Sequence, residues 1–280
     1  MEYKGIEVRK REGAAWIIFN RPLMMNAFDL EAVDEFAGAL DELGNDESVK
    51  VVVLTGAGRA FCAGGDFNFF LSLRAQDSQT IKHFITEVNK VVLKIVNQKK
   101  VVIASVNGDA MGGGCSFALA SDLIIASEKA RFGMTFIKIG LVPDTGATYL
   151  LPRIVGPLKA NELLMSGNII NAPEALQFGM VNRVVPADQL ERVTAELAQK
   201  LSGNPPMAMG IIKALVHKSV ATDDLATALE YETDAQIGCL QSETFNALIQ
   251  NFLKKAKSWS KEEPRGTHGD VNVGSFNVTG

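Results

Sequence analysis

Two glycine turns constrain this chain more than any other feature. Ala63-Gly64-Gly65-Asp66 follows the apolar run Val51-Val52-Val53-Leu54, and Gly112-Gly113-Gly114 follows Val101-Val102-Ile103-Ala104. Each turn leads into a helical pattern, and the apolar runs begin 50 residues apart, as one structural unit used twice would require. Glycine suits a backbone that must approach another group closely, and a helix start leaves several N–H donors without intrahelical partners. Taken singly, either turn reads as a tight strand-to-helix connection. Taken as an ordered pair facing each other, they would form an oxyanion hole. That geometry stabilises negative charge on a thioester oxygen, as enolate chemistry requires.

The rest of the chain reads as alternating strands and helices. β-rich apolar runs at 15–19, 51–55, 101–106, 123–126 and 181–185 predict strands. Leu30, Val33, Phe36, Ala37 and Leu40 fall on one face of a helix, and Ile81, Phe84, Ile85, Val88, Val91, Val92 and Ile95 form a longer stripe over 78–97. Such stripes are core rather than ligand boxes. After about residue 201, Asn204-Pro205-Pro206 breaks the chain and the pattern becomes helical to about 257. The polar stretch 263–280 reads either as unstructured or as a short edge strand carried by Val271, Val273, Phe276 and Val278.

With 280 residues, 47% of them hydrophobic, the chain can bury a large core. Its formal net charge of −4 argues against a broad nucleic-acid surface. No apolar run reaches membrane-spanning length and the first residues lack a signal-peptide stretch, so a cytoplasmic location is expected. Cys62, Cys115 and Cys239 are too few and too scattered for a disulfide framework, and no His or Cys pair has metal-ligand spacing. Reduced thiols and no metal are expected.

Several blocks carry a resemblance to a known family. They are Asn26-Ala27, Val51-Val52-Val53-Leu54-Thr55-Gly56, Phe61-Cys62-Ala63-Gly64-Gly65-Asp66-Phe67, Val106-Asn107-Gly108 with Gly112-Gly113-Gly114-Cys115, and Ala118-Leu119-Ala120-Ser121-Asp122. In this order the chain resembles the crotonase superfamily, the enoyl-CoA hydratase/isomerase family, from about Asn20 to about Lys257. The resemblance implies an α/β fold, a crotonase-like spiral of repeated ββα units with a C-terminal helical region. It divides the chain into a core with an acyl-CoA site over 1–200, a helical trimerisation region over 201–260 and a tail over 261–280, in a homotrimer or homohexamer. An acyl-CoA thioester is the implied partner, with coenzyme A carried as part of the substrate and no other cofactor. The implied thioester donors are the backbone N–H groups of Gly65 and Gly113, in a site that includes Ala63, Asp66, Phe67, Asn68, Ser116 and Phe136. Arg21 and Arg59 are candidate contacts for the phosphates of coenzyme A.

The chain departs from the hydratase pattern at both catalytic glutamates. Where the family's hydratases carry them, this sequence has Ser116 and Phe136; serine is a poor base and phenylalanine none, so two-glutamate hydration is not expected. One carboxylate remains, Asp144 in Gly140-Leu141-Val142-Pro143-Asp144-Thr145-Gly146. Family isomerases that move double bonds, including those resembling the phenylacetate-pathway type, place an aspartate here. Read locally, Asp144 is equally a helix N-cap for 145–151. Asp109 is a secondary candidate, though an aspartate in a turn is ordinary, and Asp122 reads as structural.

Competing readings are weaker. Gly56-Ala57-Gly58 opens a dinucleotide fingerprint but Phe61 stands where its third glycine belongs. Ser116 lacks the glycine a nucleophile elbow needs after it, and Cys115 reads as a small buried residue. A 4-chlorobenzoyl-CoA dehalogenase also uses an aspartate at this position, but its histidine and tryptophan correspond to Leu93 and Phe136 here. His83, His217 and His268 stand apart from every motif. The expected function is an enoyl-CoA isomerase using Asp144 as acid and base near an apolar group of Phe67, Phe69, Phe70 and Phe136. The alternatives are a hydratase with altered residues, such as Asp144 with a water on Ser116, and a non-catalytic acyl-CoA-binding subunit.

Overall fold

Parallel strands that read as continuous apolar runs are buried on both faces. A computed structural model gives the fold of residues 3–222 and 224–262, with side chains through residue 254. Among these residues the strands are β1 (Ile6–Arg11), β2 (Ala14–Phe19), β3 (Val51–Gly56), β4 (Ala60–Cys62), β5 (Val101–Val106), β6 (Asp109–Met111), β7 (Leu123–Ser127), β8 (Arg131–Gly133), β9 (Ile169–Asn171) and β10 (Arg183–Val185). The larger sheet runs β1-β2-β3-β5-β7-β10 and the smaller β4-β6-β8-β9. The pairs β3/β4, β5/β6 and β7/β8 each give their first strand to one sheet and their second to the other, all in parallel register. That repetition is the ββα spiral, and the fold class is α/β as expected. β1 turns back on β2 through Glu12 and Gly13, both at positive φ (+48° and +79°), the backbone of a tight primed hairpin turn.

The helices are α1 (Leu30–Asn45), α2 (Phe67–Leu73), α3 (Ser78–Asn97), α4 (Gly113–Leu119), α5 (Ala147–Val155), α6 (Pro157–Ser166), α7 (Ala172–Gln177), α8 (Leu190–Ser202), α9 (Pro206–Ala221), α10 (Leu225–Leu240) and α11 (Glu243–Glu262). Aspartates start four of them: Asp29, Asp66, Asp77 and Asp224 each accept hydrogen bonds from first-turn N–H groups of α1, α2, α3 and α10.

Alternate residues of the large sheet serve two cores. Ile17, Phe19, Val52, Leu54 and Val102 face the cluster that includes Phe36, Val91 and Phe117, whereas Trp16, Ile18, Val51, Val53 and Ile103 pack with Ala198 of α8 and Met209 of α9. Phe117 of α4 sits among aromatic neighbours, 5.4 Å from Phe36 edge-on and 5.2 Å from Phe28 between ring centres. Each such pair adds about 1 kcal/mol beyond its buried area. The packing fixes α4, and with it the Gly112–Gly114 turn, to the deepest part of the fold.

The chain divides into two compact units, Met1–Leu229 and Glu230–Gly280. The break at Asn204-Pro205-Pro206 therefore joins α8 to α9 within the first unit instead of ending it. The physical reason is burial: Met209 closes the sheet, and the Lys213 amine donates to the carbonyl of Ile95 and pairs with Asp122, at 2.8 Å each. The second unit holds the end of α10 and α11. The edge strand considered for 271–278 lies outside the described residues. Among the described residues no helix is long and apolar enough to cross a membrane.

Candidate active site

Two asparagines, the buried Asn26 and the partly buried Asn107, shape the connection between β3 and β4. Asn26 accepts from the N–H of Arg21 (2.9 Å) and donates to the carbonyls of Ala57 and Ala60 (2.9 and 2.8 Å). Asn107 accepts from the N–H of Gly56 (3.1 Å) and donates to the carbonyl of Gly58 (3.0 Å). Each satisfies loop groups that the strands leave unpaired, and together they fix where the chain enters the Ala63–Asp66 turn. Arg21, considered for phosphate contact, is already engaged: it pairs with Asp29 at 2.9 Å, lies 3.6 Å from Asp66 and donates to the carbonyl of Ala27. Arg59 is exposed.

The first turn is stitched to Phe28, whose N–H donates to the carbonyl of Gly64 (2.9 Å) and whose carbonyl accepts from Asp66 (2.8 Å). The second is held by the N–H of Gly112, which donates to the carbonyl of Gly133 (2.8 Å), and by the first turn of α4. Neither the Gly65 nor the Gly113 N–H has a hydrogen-bond partner among the described residues. Both positions need glycine for space. A β-carbon on Gly65 would overlap the ring of Phe70, and one on Gly113 would stand 2.8 Å from Cζ of Phe28. Gly64 and Gly112 take positive φ (+91° and +51°), open to glycine at little cost.

Both turns line one cavity of about 120 Å³, walled by Phe28, Phe67, Phe70, Phe84, Val88 and Phe136 and reached by Asp144. Asp144 is half-buried, and loss of water pushes its carboxyl above the ordinary aspartate value; a hydrogen bond from the Thr145 hydroxyl to Oδ1 at 2.6 Å opposes that rise. The helix-cap alternative for Asp144 does not hold. Thr145 and Gly146 both take positive φ (+55° and +75°), the Ala147 N–H closes a turn onto the Asp144 carbonyl at 2.9 Å, and α5 begins only at Ala147 with Gly146 as its cap. The carboxylate is left facing the cavity.

Of the residues expected in the site, Ala63, Gly65, Phe67, Gly113, Phe136 and Asp144 line this cavity, while Asp66, Asn68 and Ser116 do not. Asp66 is drawn off by the cap of α2, accepting from the N–H groups of Asn68 (2.8 Å) and Phe69 (3.2 Å), and the Asn68 side chain turns to solvent. Ser116 is fully buried in α4, and its hydroxyl has no hydrogen-bond partner. Phe69 packs on Phe84 behind the wall, 4.8 Å between ring centres. Asp109 makes a two-pronged pair with Arg131 (2.7 Å each). Asp122 accepts from the Val102 N–H as well as from Lys213, a structural role as expected.

The thiols of Cys62 and Cys115 are buried and pushed up to about 12 by desolvation, which keeps them protonated and inert. Exposed His83 lies 3.5 Å from Glu87, and His217 lies 4.0 Å from Asp122. No group of three or more His, Cys, Asp or Glu among the described residues could hold a metal ion. Thr135, Lys138 and Thr145 also line the cavity and were not singled out by the sequence. Only position beside Asp144 could have drawn attention to Thr145.

Comparison with known proteins gives a consistent picture. The family model described as enoyl-CoA hydratase/isomerase matches residues 9–262. A short-chain-enoyl-CoA hydratase of Clostridium acetobutylicum is 34% identical over 258 residues, covering 92% of this chain and 97% of that protein. A 1,2-epoxyphenylacetyl-CoA isomerase of Escherichia coli is 35% identical over 248 residues, covering 87% and 93%. The crystal structure of an enoyl-CoA hydratase from Bacillus anthracis superposes with a TM-score of 0.85 at 31% identity, over 90% of this chain and 97% of that one.

Proposed function

The chain belongs to the enoyl-CoA hydratase/isomerase family, and we propose that within it the protein is an enoyl-CoA isomerase, shifting a double bond through an oxyanion-stabilised dienolate with Asp144 as acid and base. The observation that carries this reading is the meeting in one apolar cavity of a carboxylate with two glycine amides that have no partner among the described residues. The Gly65 and Gly113 N–H groups polarise the thioester carbonyl. Asp144 takes a proton from an acidified carbon; the C–H electron pair passes into the conjugated system, and negative charge gathers on the thioester oxygen. The same group, now protonated, returns the proton at another carbon, and the double bond has moved. Burial suits this role, because a carboxyl above its usual range is a stronger base when ionised and keeps its proton long enough to redeliver it. The reaction as proposed draws on no redox group or metal, and coenzyme A enters as part of the substrate.

Hydration is the rival, favoured by the names of several relatives. It needs an activated water and a proton donor. Phe136 stands where one of the family's two glutamates would be, and Ser116 is buried away from the cavity. The test is product identity: purified protein with 2-enoyl- and 3-enoyl-CoA thioesters of several chain lengths, analysed by mass spectrometry in heavy water. Interconversion with deuterium gain but no added water supports isomerisation, and a hydroxyacyl product overturns it. Binding without turnover on the whole panel would point to a binding subunit. Assembly as a homotrimer or homohexamer belongs to the same proposal and is read by sedimentation.

A further inference from the structure

The turn carrying Asp144 has an unusual occupant. Both of its central residues, Thr145 and Gly146, take positive φ, a backbone that favours asparagine or glycine. Thr145 is β-branched and sits at φ +55°, where a branched side chain is sterically disfavoured. It is also only 2% exposed, and its Oγ1 donates to Asp144 Oδ1 at 2.6 Å, the length of a charge-assisted hydrogen bond. The point a β-carbon on Gly113 would occupy is 3.5 Å from the same Oγ1. The hydroxyl that holds the carboxylate therefore also lies beside Gly113, which carries one of the two free amides.

We propose that Thr145 is a positioning residue: the strained turn aims its hydroxyl at Asp144 and fixes the carboxylate in the orientation used for proton transfer. This inference rests on Asp144 being the acid and base. Strain of this kind persists only where the surroundings enforce it, and here the neighbouring contacts bury the side chain and give its hydroxyl a partner. A carboxylate with one oxygen tethered rotates less about its terminal torsion, so its other oxygen meets the substrate carbon in a narrower range of directions. The hydrogen bond also favours the ionised form, against the desolvation that raises the carboxyl. Lys138, exposed at the end of the turn Thr135–Ile139, is the other ionisable group lining the cavity among the described residues, and it is untouched by changes at 145.

Three substitutions separate the hydroxyl from the packing. Thr145→Val keeps the branched shape and the strained backbone but removes the donor. Thr145→Ser keeps the donor. Thr145→Gly removes both donor and strain. The Val variant is expected to lose about 10-fold or more in kcat with little change in KM, and the rising limb of its kcat–pH profile moves to higher pH. The Ser variant should keep kcat within about 3-fold of the parent. The Gly variant should be as slow as Val while melting no lower than the parent. A folded Val variant with parental kcat and pH profile overturns the proposal, as does equal loss in Val and Ser with an unmoved profile. Asp144→Asn measured alongside separates the two levels. If it remains active, the acid/base assignment fails and this inference with it; if it is inactive while Thr145→Val is normal, only this inference fails.

Discussion

The backbone nitrogen of Gly113 lies 3.5 Å from the point a β-carbon on Gly64 would occupy, so the two glycine turns meet with no side chain between them. The same β-carbon would stand 2.9 Å from the carbonyl oxygen of Met111, on a residue already at φ +91°. Gly64→Ala should therefore cost about 2 kcal/mol in stability, from left-handed strain and from pushing the second turn away. Displacing the Gly113 amide should lower kcat on the order of 100-fold, the cost of one misplaced donor, with acyl-CoA binding largely kept. Urea unfolding and steady-state kinetics measure the two effects separately.

Burial of Asp144 makes a prediction about stability. Its carboxyl is raised in the folded protein, so between the ordinary aspartate value and the raised one the native state holds more proton than the unfolded chain, and stability falls as pH rises through that window. Asp144→Asn removes the buried charge. The variant should melt higher than the parent at neutral pH, and the gap should close in acid, below the ordinary aspartate range, where both side chains are neutral. A gap that persists unchanged at low pH would point to altered packing instead.

Lys213 offers a contrast, since it is buried far along the chain from any residue of the site and holds Asp122 and the carbonyl of Ile95. Lys213→Met leaves Asp122 buried without its cation and should cost about 3–5 kcal/mol. Adding Asp122→Asn should recover part of the loss. Turnover per folded molecule is expected to be unchanged, and denaturant titration with active-site normalisation checks both statements.

Ser116 separates the two reactions. Its hydroxyl is buried without a partner, so Ser116→Ala should shift stability by no more than about 1 kcal/mol, and toward gain. Isomerisation should be unaffected. A hydratase holding its water on Ser116 would lose turnover in this variant, and kinetics on both substrate types read the difference.

The long parallel strands were legible because runs such as Val51-Val52-Val53-Leu54 are apolar throughout, as a strand buried on both faces requires. β4, β6 and β8 were not, since three residues carry no period and their pairing is set by the turns before them. β1 escaped for a different reason: Ile6-Glu7-Val8-Arg9-Lys10-Arg11 is an edge strand whose charges hide its alternation. In the site, the glycines were readable from their spacing. Asp66 entered the site through the resemblance, whereas its place just before a helical run is by itself a cap signature, and it does cap α2. Asp144 was readable as the surviving carboxylate, but its freedom from a capping role depends on Thr145 adopting a conformation that threonine ordinarily avoids. No local pattern announces that.

The central claim is that Asp144 moves the proton, and the most direct measurement is solvent exchange by Asp144→Asn. The folded variant and the parent are each incubated with a 3-enoyl-CoA in heavy water, and deuterium in the thioester is followed by mass spectrometry alongside the shift of the double bond. The account predicts that both exchange and isomerisation fall by about 100-fold or more while acyl-CoA binding remains. Parental rates of exchange and isomerisation in the folded variant would contradict it.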